Sequence, residues 1–500
     1  MGKLTDRVAK GVFWVLMEKC GIQAVHFVVT LVLARLLTPN DYGTVALLSI
    51  FITLSNLLVD CGLGKALTRK KNATQEDYNT VFYLNLASAF VLYGILFHSA
   101  PLIARFYGLP ELKPMLRILA FSLIFHSING IQNVELNRKM LFKLSFRISW
   151  ARVLVSSVSG IALAFAGYGP WALVWSSLLG GITGVIARQL VIRWRPAWMF
   201  SWQSARELFG FGWKDAAGSF LTHAYNEIYG LLIGKFYARS DLAFVKKGAH
   251  VPQLARSLAS SALTRVSFTA LAKLQDDPER LRNAMRRMIR CSTFVILPLL
   301  TILFVTADQL ILWVYGAKWL PCVPYLRVAC IGCAASPFMT INCQAMMALG
   351  RSDLYIRIMV AYRLLGLVVL GISLQYGVYA FYLSNVLFSA VFGIVVWAHP
   401  NRTLLEYGAS QQAADLLTPS VCAAVGGVCA LLVFSLPVPK SWLMLPTALA
   451  GLATFLLAAF ALRSRALGEI VAIGDRHFAD RMPVMRPLVA IVERRCGGRR

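Results

Sequence analysis

The chain is 500 residues long, 58% hydrophobic and only 15% charged, with a formal net charge of +27. So sparse a charge, set against ~25% in soluble domains, excludes a soluble globular enzyme. The cationic excess fits anionic lipid head groups rather than nucleic acid.

About fourteen apolar stretches of roughly twenty residues follow one another, each long enough to cross a ~30 Å hydrocarbon core as a helix. They are predicted near 12–36, 42–64, 80–103, 115–135, 146–167, 170–192, 210–236, 241–270, 290–314, 323–348, 354–374, 377–397, 416–436 and 442–462. The expected fold class is an all-α polytopic membrane protein. The first stretch reads as a span and not a cleaved leader: it is too long for a signal-peptide core and carries Glu18 and Lys19.

On that first helix Lys19, Gln23, His26 and Thr30 fall within about 60° of one another. A charge at the bilayer centre costs on the order of 3 kcal/mol, so such a stripe is expected to face a cavity or a partner. A buried hydrogen-bond network that only fixes helix packing is the competing explanation. Asp60, His126, Arg152 and Arg327 are isolated intramembrane groups for which structural and functional roles weigh equally. The segment Trp198–Phe211 (WMFSWQSARELFGF) is predicted as an interfacial amphipathic helix joining two halves.

The seventh stretch carries a second polar stripe, Asp215, Ser219, Thr222, His223, Asn226 and Gly230, with Glu227 at its edge. His223 and Glu227 are i,i+4 neighbours able to share a proton or a hydrogen bond. The stripes of the first and seventh helices are the leading candidates for cavity walls. The eighth stretch is the most cationic, with Lys246, Lys247, His250, Arg256 and Arg265 and a bend expected at Pro252. Cations there could neutralise an anionic substrate. The charged run 271–290 is a candidate coupler of the two lobes, with a solvated helix end the favoured reading. Candidate substrate-binding residues are therefore Lys19, Gln23, His26, Asn226, Lys247, His250, Arg256 and Arg265.

Cys330 and Cys333 form a CxxC inside a span, with no second pair or nearby histidines. Packing is its expected role. The chain contains no P-loop, HExxH or GxSxG motif. No cofactor, no metal and no catalytic residue are expected.

Loop charges alternate. Basic groups such as Lys65, Arg69, Lys70 and Lys71, then Arg138, Lys139, Lys143 and Arg147, then Arg188 to Arg206, mark one side of the membrane. By the positive-inside rule that side is cytoplasmic, both termini included. Residues 34–43 (ARLLTPNDYG) and 234–243 (GKFYARSDLA) align two hundred positions apart, pairing Arg35 with Lys235 and Asp41 with Asp241. The implied parallel repeat gives a six-helix lobe over 1–195, a linker over 196–209, a second six-helix lobe over 210–400 around a central cavity, two further helices over 416–462 and a basic tail over 463–500. An anionic or zwitterionic transported substrate follows.

Several segments resemble the Wzx-type polysaccharide flippases of the multidrug/oligosaccharidyl-lipid/polysaccharide exporter superfamily, most of all its exopolysaccharide and colanic-acid-like branch. They are LARLLTPNDYG (33–43), DCGLGKALTRKKNATQEDYNTVFYLNL (60–86), APLIARFYGLPEL (100–112), NRKMLFK (137–143) and AGYGPWALV (166–174). LQDDPERLRNAMRR (274–287), ADQLILWVYGAKWLPCVPYLR (307–327) and QAMMALGRSD (344–353) complete the set. The resemblance implies two six-helix bundles and the flipping of an undecaprenyl-diphosphate-linked oligosaccharide across a bacterial inner membrane. Membrane lipids, a polysaccharide polymerase and glycosyltransferases become candidate partners, and ion-gradient drive in the family makes Asp215, His223 and Glu227 candidates for ion coupling. The chain departs from the family pattern at DLAFVKKGAHVP (241–252) and TRVSFTAL (264–271). Competing functions are export of a peptidoglycan precursor or a small molecule, and a membrane polysaccharide polymerase.

Overall fold

The computed structural model describes residues 2–139, 141–192 and 195–478; the side chains of 2–16, 19, 20, 211, 215, 258–270, 441 and 473–478 lie outside that description. Among the described residues every regular element is helical. Contacts divide the chain into two units, Met1–Ala243 and Phe244–Arg500.

The first unit contains α1 (Gly2–Leu36), α2 (Pro39–Asp60), α3 (Leu63–Arg69), α4 (Gln75–Tyr107), α5 (Leu112–Leu119), α6 (Ser122–Arg138), α7 (Phe142–Phe165), α8 (Trp171–Val191) and α9 (Trp202–Phe236), and ends in the first turn of α10 (Arg239–Ala272). Thr38 and Thr74 each open a helix through a capping box, with Asp41 and Asp77 returning the bond. The core is built from Leu48, Ala89, Leu116, Leu123 and Val174, with a second cluster around Leu67, Val81 and Ile131.

The second unit continues α10 and adds α11 (Pro278–Val305), α12 (Ala307–Val314), α13 (Val323–Ala334), α14 (Ser336–Ala348), α15 (Ser352–Ser373), α16 (Val378–Leu405), α17 (Ala409–Phe434), α18 (Lys440–Ala461) and α19 (Arg465–Phe478). Its core centres on Met285, Phe338, Ile341 and Tyr407. Asn342, Asn401 and Gln412 are fully buried and bond to one another, which joins α14, α16 and α17.

Eleven helical segments among the described residues are long and apolar enough to cross a membrane. The chain is a multi-pass membrane protein. Neither α9 nor α10 is among the eleven, and α1 contributes only the shorter apolar segment Gly21–Leu36. The side chains of α1 are described in an unbroken run only from Gly21, and those of α10 only to Ser257 and again from Leu271, so neither helix is counted over its full length. Fourteen spans are therefore not established.

The internal repeat reappears in the element bounds. Helices α1 and α9 both have 35 residues and begin and end two hundred positions apart. The turns after them are tied alike: Thr38 N donates to Asp41 Oδ2 at 2.8 Å, and Ala238 N donates to Asp241 Oδ2 at 3.2 Å.

Several expectations require correction. Residues 202–236 form one unbroken helix, so the interfacial helix expected over 198–211 is largely the start of α9. The charged run 271–290 needs no correction: it is a helix end, helical from Pro278, where the Asp277 carboxylate accepts from Arg280 N at 3.0 Å. The expected fourth and ninth stretches break at Ala120–Phe121 and at Thr306. The contact division falls after Ala243, which keeps α9 with the first unit. Glycines explain this placement of α9. Gly62, with φ +70°, lies so close to Gly212 that a Cβ would overlap its carbonyl oxygen, and one on Gly234 would overlap Leu47. Lys235 also donates to the Phe106 carbonyl. Helix α9 is thereby clasped to α2 and α4.

Candidate functional site

A polar cluster forms in the first unit around buried Arg188 and draws on α1, α2, α6, α7 and α8, with His26, His126, Asn133 and Arg152 exposed around it. Its base is the stripe His126, Asn129 and Asn133 on α6, spaced three and four apart and hence on one face. From the last turn of α8, Arg188 reaches this stripe. Its Nη1 donates to Asn129 Oδ1 at 2.8 Å and its Nη2 to Asn133 Oδ1 at 2.9 Å, so two neutral amides fork one guanidinium. Nη1 also reaches the Gly184 carbonyl at 3.3 Å. Arg188 is only 7% exposed, and its Nε has no hydrogen-bond partner among the described residues. The helix C-terminus favours a cation there.

A second cation stands beside it. Arg152 on α7 lies within electrostatic reach of Arg188, His26 and His126. A Cβ on Gly184 would be 3.2 Å from Arg188 Nη1, 3.6 Å from Arg152 Cδ and 3.7 Å from Asn129 Nδ2, which places all three around one small residue. Asp60 faces His126. Glu18 accepts from Ser149 Oγ at 2.6 Å and lies within electrostatic reach of Arg188. Gln132 is fully buried, yet neither of its amide atoms has a partner among the described residues; Asn56 Oδ1 and Asn85 Oδ1 are likewise unpaired. Each unpaired buried group costs about 1–3 kcal/mol. Such a cluster suits water or a polar, anionic group entering the unit.

The cluster explains several sequence expectations. His26 joins it through Arg152. Gln23 is half-buried on the same helix. Asp60, His126 and Arg152, isolated in the sequence, are neighbours here. Arg188, read as a loop charge, is a buried helical residue. The α6 stripe has visible spacing, but its neutral amides Asn129 and Asn133 carry no charge to mark them in an apolar run.

The remaining candidates are placed elsewhere. On α9, His223 and Asn226 are exposed and Glu227 is half-buried. Lys247 stacks over Tyr315 at 5.5 Å and Trp319 at 6.0 Å, a cation–π seat within the second unit. His250 and Arg256 are exposed, with Arg256 near Cys333. Lys19, Asp215 and Arg265 lie outside the described side chains. Arg327 pairs with Asp308 at 2.5 Å, which favours a structural role for it. Cys330 and Cys333 are buried free thiols on α13.

At the end of the first unit marked by basic loops, Lys70 bonds Glu207 at 2.9 Å and buried Asp77 at 3.1 Å. These bonds, Glu207 first, raise the Lys70 ammonium above the usual lysine range. The segment after α8 is fastened to α4: Ala197 N donates to Asn79 Oδ1 at 3.0 Å and Ser201 N to Thr80 Oγ1 at 3.0 Å.

With this geometry in view, the chain was compared with known proteins. A family model described as polysaccharide biosynthesis protein matches residues 32–324. The teichuronic acid biosynthesis protein TuaB of Bacillus subtilis (strain 168) is 25% identical over 359 residues, covering 71% of this chain and 74% of TuaB. The succinoglycan biosynthesis transport protein ExoT of Rhizobium meliloti (strain 1021) is 25% identical over 322 residues, covering 64% of this chain and 65% of ExoT. The solved structure of the lipid II flippase MurJ in its inward closed conformation superposes with a TM-score of 0.72 at 14% identity, covering 90% of this chain and 98% of MurJ. At that identity the likeness concerns the fold.

Proposed function

This chain belongs to the polysaccharide biosynthesis protein family, and from that premise we propose that it is a flippase for an undecaprenyl-diphosphate-linked oligosaccharide. The observation that carries the reading is a pair of arginines in the first unit: buried Arg188, held by two neutral amides, and exposed Arg152 within electrostatic reach of it. A buried guanidinium whose partners are neutral keeps its charge available to an anion, and a diphosphate is the anion that such a substrate presents. Its sugars need hydrogen-bonding amides, and Asn129 and Asn133 stand beside the guanidinium.

In this proposal Lys19, Gln23 and His26 extend the head-group surface along α1. Asn226, Lys247, His250, Arg256 and Arg265 contribute from α9 and α10, and Asp215, His223 and Glu227 couple an ion gradient. The two lobes alternate in access while the polyprenyl tail stays in lipid. Loop charges support an inner-membrane location with both termini cytoplasmic. The chain acts as a transporter and no residue is assigned a catalytic step. A polymerase and glycosyltransferases are its proposed pathway partners.

The test is reconstitution of the purified protein in vesicles loaded with lipid-linked oligosaccharide. A membrane-impermeant pyrophosphatase reads the fraction of substrate on the outer leaflet. Protein-dependent transfer, lost in Arg152→Gln and Arg188→Gln, is the expected result. Transfer no faster than in protein-free vesicles, with folded protein present, would overturn the proposal.

A further inference from the structure

The second unit carries a cationic cleft that the flippase reading does not use. It lies where α11, α17 and the turn from α18 into α19 meet, with a volume of about 220 Å³. That is several times the ~30 Å³ share of a liquid water molecule. Arg290, Arg463, Arg465, Ser464, Asp415 and Thr418 line it.

The acids nearby are already committed. Asp415 accepts two bonds from Arg286, at 2.8 and 3.3 Å, and one from the Tyr407 hydroxyl at 2.7 Å. Burial, then this bond to Asp415, raises the Tyr407 phenol above its usual range, so it stays a neutral donor. Glu469 takes Arg290 Nη2 at 3.2 Å and approaches Arg287 Nε at 3.8 Å. Among the described side chains five arginines thus meet two carboxylates, and Arg463 and Arg465, both exposed, carry the charge left over at the cleft mouth. Arg463 is held in the left-handed backbone region at φ +52°, within the turn that carries both arginines past the end of α18.

Apolar surface continues from the same cleft. Leu417 and Val421 lie one turn apart on α17, flanking the lining residues Thr418 and Pro419, and both are exposed, as is Leu462 at the end of α18. Helix α19 turns Ala466, Leu467 and Ile470 onto Phe294, Cys422, Phe455 and Ala459, which anchors the cationic turn to the spanning helices. A cationic pocket beside an exposed aliphatic ridge on a spanning helix has the chemistry of a lipid phosphate with its acyl chains.

We infer that the cleft formed by Arg290, Arg463 and Arg465 is a binding site for the phosphate of an anionic phospholipid. A free phosphate would use the same arginines but would leave the Leu417–Val421 ridge unoccupied.

Native mass spectrometry of the full-length protein in detergent tests this, with phosphatidylglycerol, phosphatidylcholine or inorganic phosphate added. The wild type is expected to retain phosphatidylglycerol and not phosphatidylcholine. Arg463→Gln with Arg465→Gln should weaken that retention about tenfold, the loss of two charge-assisted contacts. Arg402→Gln, an exposed arginine elsewhere in the unit, should not. A second variant, Leu417→Gln with Val421→Gln, should weaken phosphatidylglycerol retention while leaving the arginines in place. Equal retention by wild type and the double arginine variant would overturn the inference. So would equal binding of both lipids, or inorganic phosphate binding as tightly as the lipid. None of these readouts involves transport, so the outcome is independent of the flippase proposal.

Discussion

Arg188 allows structural and functional roles to be separated in one set of variants. Arg188→Leu removes two charge-assisted bonds worth ~1.5–3 kcal/mol each and leaves the Asn129 and Asn133 oxygens without their donor. Against this, removing a buried cation recovers up to about 3 kcal/mol of its burial cost. The net expectation is a loss of about 2 kcal/mol. Replacing Asn129 and Asn133 by Leu in the same chain removes the orphaned acceptors, and such paired replacement is close to neutral. Thermal unfolding in detergent should show the single variant lowered and the triple variant restored nearly to the wild type. Polymer export in cells lacking the native gene should be lost in both. Arg188→Lys keeps the charge without the fork and should export weakly. Wild-type export by the triple variant at equal protein level would refute the reasoning, because the charge would then be structural only.

Three further outcomes follow from other sites. Gly62→Ala combines φ +70° with overlap on Gly212 and should cost at least about 2 kcal/mol, read as loss of monodisperse protein on extraction. Gly94→Ala, which has no atom within 4 Å of the new methyl, should extract as the wild type does. Because the folded Lys70 is raised, its contribution is full below the unfolded lysine value near 10.4 and is lost as pH rises through the higher folded value. Glu207→Gln should therefore cost no more than about 1 kcal/mol at pH 7, since the pair is solvent-screened, and should flatten the alkaline loss of stability; unfolding at pH 7 and pH 11 checks both. Glu227→Gln should remove the dependence of transport on the pH gradient, measured in vesicles with imposed gradients; unaltered dependence would take His223 and Glu227 out of the mechanism.

The sequence made the all-helical fold, the alternation of loop charge and the repeat legible, because each is local or periodic. Helices α1, α9 and α10 stand out in the sequence by their polar stripes. What the sequence left hidden depends on partners. Arg188 reads as a loop charge until Asn129 and Asn133 are seen to hold it. The breaks at Ala120–Phe121 and Thr306 sit in apolar runs whose composition does not change across them. The extent of α9 turned on glycine contacts between residues far apart in the chain, Gly62 with Gly212 and Leu47 with Gly234, which hydropathy does not register. Lys247 looked like a cavity cation, but Tyr315 and Trp319, some seventy positions on, provide its seat.

The central claim is the movement of a lipid-linked oligosaccharide between leaflets, and leaflet-resolved mass spectrometry of such lipids in cells with and without this protein tests it most directly. The flippase account predicts complete, unpolymerised repeat units accumulating on the cytoplasmic leaflet when the protein is absent. Units that reach the periplasmic leaflet and remain unpolymerised, or no change in any lipid-linked species, would contradict it.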